Sequence, residues 1–277
     1  LRRGSDELSD GINSMATCEM MRRISLEHLH RIASAEGEGL GTAYEYLAKW
    51  NLLETIFDEI GYEKNILIAG LPEKYGLSMD FVLFSMKYRS RITVIDERDE
   101  VLRRFKKVLK ILGAEGDSVR LRLIKVNDLS ELEPAVDIIE HIKINNKYEL
   151  SLCCEVLQRL PEGSRFKYID QIIKLAERAV IFVPNRENRM HARLSGLDAL
   201  SMDDLLNLTR HYGYVVSCGY IDMPPFPPGL KSGCAKKNAT SVMRMLEIWC
   251  AFENMLPKIF KRKIAHIVYV YLRCNSC

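Results

Sequence analysis

The stretch Tyr148-Glu-Leu-Ser-Leu-Cys-Cys-Glu-Val-Leu-Gln-Arg-Leu-Pro161 decides the fold. Its centre, Leu150–Cys154, is a short apolar run broken by one hydroxyl, without the polar alternation of a half-exposed strand. An acid, Glu155, follows at once, and beyond Pro161 an amphipathic segment predicts a helix over about 164–177. A strand buried on both faces and followed by a helix is the unit of a parallel sheet covered by helices.

The same unit recurs on either side. Short runs rich in Ile, Val and Leu lie at Ile66–Ala69, Ile92–Ile95, Val119–Val126 and Ala179–Val183, with helices expected at about 77–88, 99–112 and 131–142. Further on, a helix is expected at about 201–211, a strand at Tyr214–Ile221, a helix over 240–260 and a last strand at Ile264–Leu272. Strands separated by helices call for right-handed crossovers and a doubly wound α/β sheet. Upstream, Tyr46, Leu47, Trp50, Leu53, Ile56, Phe57 and Ile60 recur at three- and four-residue steps, which predicts an amphipathic helix over 43–60. A weaker helical pattern covers 5–35, and Gly37, Gly39 and Gly41 separate the two. The expected organisation is an N-terminal helical extension, residues 1–60, and one α/β domain, residues 61–277, with a helical insertion at about 223–263.

Composition narrows the class. The chain has 277 residues, 47% hydrophobic and 28% charged, which is globular rather than disordered. No apolar run reaches the roughly 18–20 residues that span a bilayer, and the first 30 residues hold no signal-peptide core. Eight scattered cysteines fit a reduced, cytoplasmic chain rather than a disulfide framework. Cys274 and Cys277 form a lone C-x-x-C without the second pair that a zinc site needs, so no metal is expected. Net charge is +3, but residues 230–277 carry nine Lys/Arg against Glu247 and Glu253, leaving −4 for the rest. Such a segment either attracts phosphate groups or is the solvated face of a helix.

In an open α/β sheet, ligands bind outside the carboxyl ends of the strands. The residues just after each run are therefore the candidates. The first run is followed by Gly70-Leu-Pro-Glu-Lys-Tyr-Gly76, a turn in which glycine permits close backbone approach. The second leads to Asp96 and Glu97, the third to Asn127 and Asp128, and the fourth ends in Cys153, Cys154 and Glu155. A carboxylate at position 96 can accept both hydroxyls of a ribose; equally, Asp96 and Asp128 suit helix N-caps. Asn185 and His191 follow the fifth run, and Asp222, Pro225 and Phe226 belong to a proline-set loop that could wall an acceptor.

These residues resemble the class I S-adenosylmethionine-dependent methyltransferases over roughly 63–222. Asn65–Gly70 is similar to that family's first strand and glycine, and Ile92–Asp96 to its second strand and ribose-binding acid. Val126–Leu129 is similar to the stretch that meets the adenine. Residues 148–161 are similar to its fourth-strand signature, an F/Y-D-L run followed by E-V-L-x-H-L-P. The resemblance implies a seven-stranded, mostly parallel sheet with an antiparallel last strand, and S-adenosyl-L-methionine as cofactor. It implies cofactor contacts from Gly70, Leu71, Gly76, Asp96, Glu97, Asn127, Asp128 and Cys153. Glu155 and His191 are the candidate catalytic residues, and Arg159, Asn185, Asp222, Pro225 and Phe226 the candidate substrate contacts.

The chain also departs from that pattern. Ile68 stands where the family has an acid, only Gly70 and Gly76 remain of its glycine turn, Pro72 has no N–H to donate, and Arg159 replaces the signature histidine. Either Glu73 or Lys74 addresses the amino-acid end of the cofactor, or cofactor binding is weakened. An NAD-dependent enzyme is disfavoured because no G-x-G-x-x-G is present. The expected reaction is methyl transfer to a small molecule held under the proline-rich loop and a helical lid. The alternatives are RNA methylation using the basic C-terminal segment, and a noncatalytic binding protein.

Overall fold

The computed structural model describes residues 24–113, 120–130, 147–196, 198–226 and 239–274. Helices α1 (Leu26–Ala35) and α2 (Leu40–Ile60) come first, and the alternation then begins. It runs β1 (Asn65–Ala69), α3 (Met79–Lys87), β2 (Arg91–Asp96), α4 (Asp99–Ile111) and β3 (Leu121–Lys125). After residue 146 come β4 (Leu150–Cys154), a 3-10 turn at Leu157–Arg159, α5 (Glu162–Leu175) and β5 (Arg178–Pro184). The last part is α6 (Arg189–Ser195), α7 (Met202–Thr209), β6 (Gly213–Ile221), α8 (Ala239–Met255), α9 (Lys258–Ile264) and β7 (Ile267–Cys274). The helix expected at 131–142 lies outside the described residues.

The seven strands form one sheet in the order β3-β2-β1-β4-β5-β7-β6. Every pair from β3 to β5 is parallel, whereas β7 runs antiparallel to both β5 and β6. Strand order reverses between β1 and β4, which opens a crevice at their carboxyl ends. β1 and β4 are buried at every position. β3 and β6, the two edges, instead alternate exposed and covered residues, because solvent reaches one face of an edge strand. The core falls into two apolar layers, one on each side of the sheet.

Two N-terminal expectations change. Gly41 sits inside α2, so the break between the helices is at 36–39. α2 is also not simply amphipathic: every residue from Thr42 to Trp50 is buried, including Glu45 and Lys49. The reason is its position, packed among α1, α3, α8 and β6. α8 buries Leu246, Cys250 and Glu253, while Met245 and Phe252 of its expected apolar face stand in solvent. It braces the proline loop from behind: Trp249 donates to the Met223 carbonyl at 2.6 Å, and Glu253 accepts from Met223 N at 3.0 Å and from the Tyr44 hydroxyl at 2.8 Å. No helix among the described residues is long and apolar enough to cross a membrane.

Candidate active site

Two groups of chemically active residues lie along the carboxyl edge of the sheet. The first surrounds the turn after β1. Gly70 has φ 87°, a conformation open to glycine without strain. A Cβ there would stand 2.9 Å from Leu129 Cδ1 and Val156 Cγ2 and 3.2 Å from Arg159 Nη2. The Leu71 N–H donates to Asp96 Oδ2 at 2.8 Å.

Asp96, the last residue of β2, is fully buried and saturated with donors. Its Oδ1 accepts from Arg98 N and Nε, both at 2.9 Å, and its Oδ2 accepts from Arg98 Nη2 and Arg159 Nη2, both at 3.0 Å. Burial opposes its charge, but the guanidinium groups of Arg98 and Arg159 and the two backbone donors hold its carboxyl below the usual range. Arg159 also pairs with Glu97. Asp128 is exposed at the end of β3 and accepts from Ser130 N at 2.7 Å. Asn127 beside it is exposed as well.

A buried carboxylate thus ends β2, a left-handed glycine follows β1 and an exposed acid lies three residues beyond β3. One obstruction stands among them. The Arg159 guanidinium covers Gly70 and one oxygen of Asp96, and Arg98 with the Leu71 N–H fills the rest of the carboxylate, so a ribose diol reaches it only if both arginine side chains give up bonds. Arg159, expected against the substrate, lies instead in this Asp96 corner.

Gly76 serves a different purpose. A Cβ on it would lie 2.3 Å from the Tyr46 hydroxyl and 2.6 Å from Glu36 Oε2. Glu36 accepts from Tyr46 Oη at 2.6 Å and from Leu77 N at 2.9 Å, so the end of α1 fastens the loop. Burial pushes the Glu36 carboxyl up to about 8. Glu73 and Lys74 are exposed and line a depression with Gly37 and Arg104 that shares Glu38 and Tyr75 with the pocket described next.

The second group forms a pocket of about 130 Å³ between α2 and the ends of β4, β6 and β7. Its lining includes Glu38, Glu45, Tyr75, Glu155, His191, Asp222, Pro224, Phe226 and His266. Glu155, Asp222 and Tyr75 hold φ of 53°, 68° and 58°. Side chains other than glycine pay about 1–3 kcal/mol for that region, and such strain gathers at ligand sites.

Asp222 Oδ2 lies 3.0 Å from His266 Nδ1, and the His266 ring stacks on His191 with centroids 4.2 Å apart. Burial opposes charge on His266, yet Asp222 outweighs it and raises the imidazole above its usual range. Burial, with the cationic neighbour, pushes His191 down to about 4. Burial and Glu45 push the Glu155 carboxyl well up. A base of lowered and an acid of raised proton affinity therefore line one cavity.

Beneath the pocket lies Lys49, buried, paired with Glu45 and 2.7 Å from Cys154 Sγ. Burial disfavours its charge, but Cys154, Glu45, Asp80 and Glu155 outweigh that and raise it well above the ordinary range.

Of the expected substrate residues, Asp222 and Phe226 line this pocket with the candidate catalytic pair. Pro225 is exposed, and Pro224 takes its place. Asn185 does not face the pocket: fully buried, its Nδ2 donates to the carbonyls of Arg262 and Ala265 at 2.8 and 2.9 Å, tying β5 to α9. Cys153 accepts from Tyr168 Oη at 3.2 Å, and burial pushes its thiol up to about 11, as for a packed, inert cysteine. α8 contributes nothing to the lining. Sequence reasoning missed Glu45, Tyr75 and His266. The one usable signal was a Glu45–Lys49 pair, four residues apart on the apolar side of a helix.

Part of the basic C-terminal charge is paired or covered. Arg262 pairs with Glu187, and Lys261 is buried, which lowers its proton affinity. Among the described residues, no three His, Cys, Asp or Glu side chains are arranged to hold a metal.

No family model matches the sequence, and no curated protein matches it. Solved structures do match. The [4+2]-cyclase SpnF aligns over 82% of this chain and 81% of its own, with 14% identity and a TM-score of 0.52. The methyltransferase domain of bacterial CtHen1-C aligns over 83% and 98%, with 14% identity and a TM-score of 0.46. A putative sarcosine dimethylglycine methyltransferase from Galdieria sulphuraria aligns over 83% and 84%, with 10% identity and a TM-score of 0.47. At these identities the likeness is one of fold.

Proposed function

From the class I S-adenosylmethionine-dependent methyltransferase fold that this chain has, we propose that it transfers a methyl group from S-adenosyl-L-methionine to a small-molecule acceptor in the pocket of Glu155 and His191. One observation carries the reading: an acid and a base of opposed proton affinity converge on a strained pocket at the sheet's carboxyl edge. The cofactor, when bound, supplies a methyl group on a positively charged sulfur. Such transfer needs an aligned acceptor and the exclusion of water more than strong acid–base assistance. Asp96 would hold the ribose diol and Gly70 would admit a close backbone approach, once Arg159 and Arg98 had given up bonds to the carboxylate. Glu155, Asp222 and His191 orient the acceptor, while Phe226 and Pro224 close the pocket against solvent. For an oxygen acceptor, His191 takes the proton at its ring nitrogen.

The test is transfer of isotopically labelled methyl from the donor to a mixture of small alcohols, thiols, amines and carboxylic acids. Label in the small-molecule fraction, lost with Glu155→Gln or His191→Ala, supports the reading. Label in added RNA, with a steep loss on raising salt, favours the nucleic-acid alternative instead.

A further inference from the structure

We infer that the pocket between α2 and the ends of β4, β6 and β7 is built for a small amine, which enters as its ammonium ion. The inference rests on the proposed function only in making that amine the methyl acceptor; binding itself stands apart from transfer.

Three buried polar atoms of pocket-lining residues have no partner: Glu155 Oε2, Asp222 Oδ1 and His191 Nδ1. Glu155 and Asp222 are each only 4% exposed. A buried polar atom without a partner costs about 1–3 kcal/mol, so an occupant that bonded these three would recover that cost. Carboxylate oxygens and a neutral imidazole nitrogen are acceptors, so the occupant must offer several donors. An ammonium offers three from one atom, whereas an alcohol offers one and a carboxylate none.

Charge points the same way. Four carboxyl groups line the pocket, Glu38, Glu45, Glu155 and Asp222, and no lysine or arginine lines it. Lys49 answers Glu45 from beneath, and His266 answers Asp222. Burial and Glu45 raise the Glu155 carboxyl, against the opposing pull of Lys49, with Tyr75, His191, Asp222 and His266 lining the same pocket. Tyr75 and Phe226 give the wall aromatic faces, which attract cations. The volume, about 130 Å³, compares with the roughly 150 Å³ that admits benzene, so the occupant has about six non-hydrogen atoms.

When an ammonium seats there, the Glu155 O–H bond breaks and its proton goes to solvent, leaving a carboxylate that accepts from the N–H donors. For methyl transfer one N–H bond then breaks and an O–H bond forms at Glu155 Oε2, which frees the nitrogen lone pair.

The experiment is calorimetric titration of the wild-type chain, without donor, using isobutylamine, isobutanol and isobutyrate. The expected result is amine binding at least tenfold tighter than the alcohol, no isobutyrate binding, and about one proton released per amine in buffers of different ionisation enthalpy. Glu155→Gln, checked as folded by its thermal melt, weakens the amine at least tenfold. Equal or tighter binding of isobutanol or isobutyrate, binding without proton release, or an unchanged Glu155→Gln overturns the inference. Amine binding without methyl transfer overturns the proposed function alone; methyl transfer to an alcohol without amine binding overturns this inference alone.

Discussion

Arg159 Nη2 stands 3.0 Å from Asp96 Oδ2, so a side chain of the fourth-strand turn occupies the carboxylate that ends β2. The same guanidinium pairs with Glu97 and lies against Gly70. Three expected cofactor residues are thereby joined by one arginine, at the position where the fourth-strand signature has a histidine.

Replacing that arginine should remove one of the five donors on the carboxylate and uncover Gly70. Arg159→His is expected to tighten S-adenosylmethionine binding at least tenfold in equilibrium dialysis. Asp96 keeps both bonds from the Arg98 side chain, so the loss of stability should stay near 1–2 kcal/mol by urea unfolding. Asp96→Asn should cost more, about 3–5 kcal/mol, because it leaves two largely covered guanidinium groups facing a neutral amide.

The two glycine turns should respond unequally to alanine. At Gly76 a Cβ would collide with Tyr46 Oη and Glu36 Oε2 in a left-handed conformation, so Gly76→Ala should lose at least about 2 kcal/mol. Gly113, with φ 65° and open space around it, should lose only about 1 kcal/mol as alanine. Parallel thermal melts compare the two.

The buried pair in α2 gives a double-mutant test. Lys49→Met leaves Glu45 buried without its cation and should cost about 3–5 kcal/mol. Adding Glu45→Gln should restore most of that loss, because the pair is then replaced by neutral groups. An unrestored double variant would assign the cost to the Lys49–Cys154 contact.

The two histidines should titrate in opposite senses. His191, at about 4 in the fold against about 6.5 unfolded, binds its proton more weakly when folded. Stability is therefore lost as pH falls from about 6.5 towards 4, by up to about 3 kcal/mol. His266 is raised by Asp222, so its contribution is full below about 6.5 and is lost as pH rises through its folded value. Ring-proton NMR should show His191 uncharged at pH 5.5 and His266 still charged above pH 6.5. His266→Ala should remove the alkaline-side loss and, by taking away a cationic neighbour, lessen the acid-side loss from His191.

Much of the architecture was legible because it is written locally. Runs such as Ile66–Ala69 and Leu150–Cys154 have no polar alternation, and the structure buries them on both faces. The alternation of β3 and β6 had a reason invisible in the chain, their place at the sheet's edges. Asp96 could be located from the strand it ends, but its bond to Arg159 joins residues 63 positions apart. Gly76 looked like a ligand-facing glycine; its need for a missing side chain comes from Glu36, 40 residues upstream. Asn185 was misplaced for the same reason, since its carbonyl partners lie in α9. His266 carried no pattern at all, because only the antiparallel return of β7 brings it beside Asp222.

The central claim is that this fold still receives an adenosyl donor at Asp96. A crystal structure grown with saturating S-adenosylmethionine tests it most directly. The account predicts the donor's ribose on the Asp96 carboxylate, with Arg159 withdrawn towards Glu97. Arg159 still bonded to Asp96, with no donor in the crevice, would contradict it.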